Sequence, residues 1–196
     1  MAFIVLEGFS GTGKTTLARG LERRGWVRLR ESAHALPDHV PVAERGDTFS
    51  DYSLLGATLA YSSTISRMRR DRRLVSEGYL LSDLAYSKMR YELKKSAAYP
   101  SMLALCRAAL SSPEMRPDLY LLLEAEPETI GDRQARKNNR DRSLTEFLRS
   151  RYYAALAEVH SELGEGSVER VHTGSRPSVT MGRVLEALRR RGVDVG

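Results

Sequence analysis

The sequence predicts an α/β fold: a five-stranded parallel sheet flanked by helices on both faces. Two observations carry this. Short apolar runs of strand length alternate with longer stretches whose apolar residues recur at helical spacing, a pattern that closes as parallel neighbours joined by right-handed crossovers. The first run, Phe3 to Leu6, leads into Gly8-Phe9-Ser10-Gly11-Thr12-Gly13-Lys14-Thr15, which fits G-x-x-x-x-G-K-[ST] in its required setting, after a strand and at the start of a helix.

The elements follow in order. Phe3 to Leu6 is the first strand, and Leu17, Ala18 and Leu21 give the first helix its apolar face up to Gly25. Trp26 to Leu29 is a second strand ending near Arg30-Glu31, followed by a loop holding Pro37 and Pro41 and a helix from about Tyr52 to Arg70. Arg73 to Ser76 is a short third strand ended by Gly78, with a helix from about Asp83 to Lys95 behind it. Pro117 and Pro127 bracket a fourth strand, Asp118 to Leu123. A short basic helix comes next, then a polar turn near Asn138-Asn139, and then a helix with Leu148, Tyr152, Leu156, Val159 and Leu163 on one face. Val168 to Val171 is the fifth strand, and Val184, Leu185 and Leu188 line the last helix. Ligands of such sheets bind at the carboxyl ends of the strands, which gathers Gly8 to Thr15, Glu31, Glu77 and the segment after Glu124 around one cleft.

Composition bounds the class. A chain of 196 residues, 41% apolar and 29% charged, is expected to form a single soluble domain over residues 1–196. No segment approaches the ~20 apolar residues of a membrane span, so no membrane partner is expected. The run from Ala2 to Leu6 is shorter than the roughly 7 to 15 residues of a secretory apolar core. Cys106 is the sole cysteine, which leaves no intrachain disulfide and no zinc cluster and fits a reducing cytoplasm. The net charge of +6 comes mostly from arginine, as in Arg67, Arg69, Arg70, Arg72 and Arg73. These arginines are not interleaved with an aromatic stacking platform, which argues against nucleic acid and leaves small phosphorylated ligands or a solvated surface. Arg189 to Arg191 complement the end of the last helix.

The glycine loop carries the chemistry. Its backbone N–H groups curl toward phosphate oxygens, and the helix N-terminus behind it adds partial positive charge. Gly8, Ser10, Gly11, Thr12, Gly13, Lys14, Thr15 and Thr16 are the expected nucleotide contacts. Lys14 is placed to reach the β- and γ-phosphates, the Thr15 hydroxyl to ligate Mg²⁺, and Glu77 to hold the hydration shell of that ion.

EGFSGTGKTT near the start, SEGYLLSDLAY in the middle and PDLYLLLEAEPETIGDRQARKNNRDR later together resemble the thymidylate kinase and deoxynucleoside kinase superfamily over nearly the whole chain. The resemblance implies the P-loop kinase fold, ATP as donor with Mg²⁺, and a nucleoside monophosphate or nucleoside acceptor, thymidylate first. It also implies a small Arg-rich lid over about 127–142, in which Arg133, Arg136, Arg140 and Arg142 close on the transferring phosphoryl group. Arg67, Tyr79, Asp83 and Tyr86 fall where such kinases read the acceptor, and Arg176 where they hold the donor base. Glu31 follows the second strand and suits a general base only for an alcohol acceptor, because a monophosphate is already an anion. Two residues depart from the family pattern. Gly78 stands where the family has arginine, and Ser10 where thymidylate kinases have aspartate. Phosphotransfer to another small hydroxyl compound, with Glu31 as base, is therefore the alternative, and a nucleic-acid-binding ATPase or end kinase a second. The helix from Tyr52 to Arg70 is long enough to pair with its copy in a homodimer.

Overall fold

The first strand, β1 (Phe3–Glu7), lies at the centre of a five-stranded parallel sheet of order β2-β3-β1-β4-β5. The computed structural model describes residues 1–37, 40–41, 45–138, 142–164, 166–174 and 176–195, with backbone alone at 136–138 and 142. The other strands are β2 (Val27–Leu29), β3 (Leu74–Glu77), β4 (Leu119–Glu124) and β5 (Val168–His172). Helices α1 (Lys14–Glu22), α2 (Thr48–Met68), α3 (Leu80–Glu92), α4 (Tyr99–Leu110), α5 (Pro127–Asn138), α6 (Arg142–Leu163) and α7 (Pro177–Arg190) connect or follow them.

Alternation along β1 decides which side chain goes to which layer. Phe3 and Val5 enter the larger core beneath α2, α3, α4 and α6, with Leu84, Met89, Met102 and Tyr152. Ile4 and Leu6 enter the smaller core beneath α1 and α7, with Leu17, Leu21, Val184 and Leu188. The sheet is thus covered on both faces, as the sequence predicts. Helix α4 falls in a stretch to which the hydrophobic pattern assigned nothing; its buried face is Met102, Leu103, Cys106 and Leu110. Helix α3 starts at Leu80 rather than Asp83, because the Ser82 hydroxyl accepts the Tyr79 N–H at 3.1 Å and closes the first turn earlier. No helix among the described residues is long and apolar enough to cross a membrane.

Candidate active site

The phosphate loop is shaped by a glycine that nothing else can replace. Gly8 has φ 146°, and a Cβ there would lie 2.6 Å from the Leu123 carbonyl oxygen and 2.9 Å from Thr12 Oγ1. The Thr12 hydroxyl donates to the Phe9 carbonyl at 2.9 Å, and Lys14 Nζ folds back to the Gly8 carbonyl at 2.6 Å. Helix α1 begins at Lys14, so its amino end faces the loop. A cavity of about 440 Å³ lies over it. Ser10, Gly11, Thr12, Gly13, Lys14, Thr15 and Thr16 form its base. Glu31 and His34 close it from the β2 edge of the sheet, and Arg133, Thr173, Pro177 and Thr180 from the β5 edge. Arg133 donates to the Gly11 carbonyl at 3.0 Å and the Thr173 carbonyl at 3.2 Å, tying α5 to the loop and to the turn after β5.

The Thr15 hydroxyl donates to Glu77, which ends β3 and is nearly fully buried. Arg28 Nε donates to the other Glu77 oxygen at 2.5 Å. A hydroxyl and a carboxylate together beside a phosphate loop are hard oxygen donors of the kind Mg²⁺ takes, with water and phosphate completing its shell. No group of three or more His, Cys, Asp or Glu able to hold a metal occurs among the described residues, and Thr15 and Glu77 are the oxygen donors that would face Mg²⁺ beside the loop. Bound Mg²⁺ would neutralise charge on the phosphates.

Beside this lies a second set of side chains. Glu7 ends β1 fully buried on the α3 and α6 face, and neither carboxylate oxygen has a hydrogen-bond partner. Ser82 is nearby, but its hydroxyl donates to the Tyr79 carbonyl at 3.0 Å. Burial pushes the Glu7 carboxyl up to about 8 against the pull of Lys14 and of the nearby Ser82 hydroxyl, with Asp83 and Glu31 pushing it further up. Asp83, also buried, accepts the Thr58 hydroxyl from α2 at 2.5 Å. Burial raises its carboxyl to about 7 despite that bond, and Glu31 adds to the rise. Tyr152 packs its ring 4.8 Å from Tyr86 and 5.8 Å from Phe9, and its buried hydroxyl is unpartnered. The sequence reading missed Glu7, taking it as the strand end. The available signal was its place in the Phe3, Val5 alternation, which sends a carboxyl into a helix-covered layer.

Other expected residues fall elsewhere. Arg67 is exposed near the tail of α2, beside Ser66 and Arg69, which bond to the segment entering β4 at its amino end. Nine residues separate it from Thr58, about 14 Å of helix, and that length carries it away from the cleft. Tyr79 is a core residue, with its ring edge-on to Phe3 and its hydroxyl 3.3 Å from Ser62 Oγ. Arg176 is exposed at the start of α7, and Pro177 and Thr180 take the cavity wall in its place. Arg140 and the side chains of Arg136 and Arg142 lie outside the described residues. Gly78 has φ 75°, and a Cβ there would come within 2.7 Å of Ser82 Oγ, so a side chain at this position, an arginine included, is strained.

The profile of a family described as an AAA domain matches residues 3–170. Thymidylate kinase from Candida albicans superposes with a TM-score of 0.71 at 13% identity, over 97% of this chain and 92% of that one. Deoxyadenosine kinase from M. mycoides with bound dATP superposes with a TM-score of 0.67 at 15% identity, over 95% and 99%. The same kinase with bound dCTP gives 0.62 at 14% identity, over 96% and 99%. These likenesses show a shared P-loop kinase fold. No curated protein sequence matches the chain.

Proposed function

The chain belongs to the AAA domain family, and on that premise we propose that it is an ATP- and Mg²⁺-dependent phosphotransferase acting on the hydroxyl of a nucleoside or another small molecule. The observation that carries the hydroxyl is the acceptor side itself. Glu7, Glu31 and Asp83 act on one another electrostatically, Gly78 supplies no cation, and Arg28 is committed to Glu77. A monophosphate dianion brought there would find no neutralising cation from Gly78 or Arg28.

Lys14 would cradle the donor's β- and γ-phosphates with the loop N–H groups, and Arg133 would hold the loop closed against the turn after β5. Thr15 and Glu77 would take Mg²⁺. Glu31 accepts the proton of the acceptor hydroxyl as its oxygen bonds to the γ-phosphorus; the bond to the β,γ-bridging oxygen breaks and ADP departs with that electron pair. Arg136 and Arg140 stay proposed for the transferring phosphoryl group on the sequence resemblance alone, and a single domain over residues 1–196 stays part of this reading. Pro177 and Thr180 supply the donor-base wall. The cytoplasm expected from the sequence stays part of this reading. A homodimer through α2 is carried by Phe49, which is 67% exposed near its start, and light scattering decides it.

The test is transfer of labelled γ-phosphate from ATP to a panel of nucleosides, nucleoside monophosphates and small alcohols, with Lys14→Ala as control. Transfer to hydroxyls and its loss in Lys14→Ala are expected. Transfer to monophosphates alone would instead establish the thymidylate kinase-like reading. Full activity in Lys14→Ala would sink both.

A further inference from the structure

Glu7 is the feature that the phosphotransferase chemistry leaves unused. Both of its carboxylate oxygens are buried without a hydrogen-bond partner, as is the Tyr152 hydroxyl, and the two groups are close enough to act on one another. A buried carboxyl with no donor is costly, and a protein that keeps one keeps it for a ligand that supplies the donor. The surroundings fix the sign of that ligand's charge. Asp83 and Glu31 both act on Glu7, while Lys14, the cation that acts on it, is held by the Gly8 carbonyl, and Arg90, which acts on Asp83, is paired with Asp51. Burial, Asp83 and Glu31 together keep a proton on Glu7 in the empty site, and an ammonium group is a partner that can give both orphaned oxygens a donor while that proton leaves to solvent. The rings of Tyr86, Tyr152 and Phe9 pack together beside the site, and aromatic faces also favour an organic cation.

We propose that the phosphoryl acceptor is a hydroxylated amine whose ammonium group is held by Glu7, Asp83 and the Tyr152 hydroxyl while its hydroxyl faces Glu31. This rests on the phosphotransferase reading above and names its substrate class. The ammonium donates its N–H groups to the orphaned oxygens, and only the hydroxyl is phosphorylated. Its oxygen takes the γ-phosphoryl group of ATP, its proton goes to the Glu31 carboxylate, and ADP is released. Glu7 touches the acceptor at the end away from the reacting atoms, so it sets affinity and selectivity rather than the chemical step.

The test uses matched probes: 2-deoxystreptamine against myo-inositol, and glucosamine against glucose, with adenosine and deoxycytidine as neutral nucleosides. Binding is measured by calorimetry without nucleotide, and phosphoryl transfer is measured separately with labelled ATP. At least one amine of the two pairs is expected to bind the wild-type protein at least about tenfold more tightly than its neutral counterpart. Glu7→Gln is expected to erase that preference. Tyr152→Phe, which removes one oxygen and keeps the ring, is expected to weaken the same amine and spare the neutral probe, and it serves where Glu7→Gln does not fold. Equal binding within both pairs, preference for a neutral nucleoside over every amine, or an amine preference untouched by either variant would overturn the proposal. Amine binding without phosphoryl transfer would overturn the phosphotransferase reading and leave the cation site standing. Transfer to neutral hydroxyls alone would do the reverse.

Discussion

Arg28 and Glu77 form an ion pair at 2.5 Å, and the same carboxylate also receives the Thr15 hydroxyl. Sheet register produces this. Arg28 lies opposite Val75 in the β2 and β3 pairing, so its side chain shares the α1 face with Glu77, two residues along β3. An arginine from the neighbouring strand thus supplies charge to the carboxylate beside a glycine that cannot.

Arg28→Met leaves Glu77 buried without its cation, which should cost about 3 kcal/mol in denaturant unfolding. Millimolar Mg²⁺ should restore part of that loss, and its stabilising shift should be larger in the variant than in wild type, because Arg28 and the ion compete for one carboxylate. An identical Mg²⁺ response in both proteins would remove Glu77 from the metal site.

Glu7 gives stability a pH dependence of a particular sign. Its folded-state carboxyl is raised to about 8 from 4.5, so the native state holds the proton more tightly than the unfolded chain. Its contribution is complete below about 4.5 and declines as pH rises toward 8, with a slope approaching about 1.4 kcal/mol per pH unit from this group alone. Asp83, raised from 3.8 to about 7, adds a decline of the same sign over its own window. Glu7→Gln should flatten the profile and gain stability most at alkaline pH. Urea titrations at several pH values measure this, and parallel profiles would contradict the raised carboxyl.

Asp51 and Arg90 form a fully buried pair between α2 and α3, and the Ser87 and Ser96 hydroxyls also donate to the Asp51 carboxylate. Arg90→Leu should cost about 3–5 kcal/mol by stranding that carboxylate, and Asp51→Leu combined with Arg90→Leu should cost less than the sum of the single changes. A double-mutant cycle by denaturant unfolding checks it; additivity would mean the two charges are not coupled.

Gly78→Arg, which writes the family's arginine back, should destabilise the protein by about 1–2 kcal/mol, because φ 75° disfavours a side chain and Ser82 Oγ stands 2.7 Å from the new Cβ. It should not create activity on nucleoside monophosphates. Restored monophosphate transfer in a stable Gly78→Arg protein would show that a missing charge, rather than backbone conformation, sets the acceptor.

Much of the fold was legible in the chain because its determinants are local. The alternation of Phe3, Ile4, Val5 and Leu6 and the helical spacing of Leu17, Ala18 and Leu21 fix periods of two and 3.6, and those periods fix strand and helix. The loop from Gly8 to Thr15 is equally local, since its glycines, lysine and threonine act on a few neighbouring backbone groups. The acceptor side was decided by tertiary structure. Arg28 meets Glu77 across 49 positions, Thr58 meets Asp83 across 25, and α2 carries Arg67 away from the cleft. No pattern in the sequence measures such separations. The burial that leaves Glu7 without a partner is likewise a property of the packed layer, because α3 and α6 remove the water that would otherwise satisfy it.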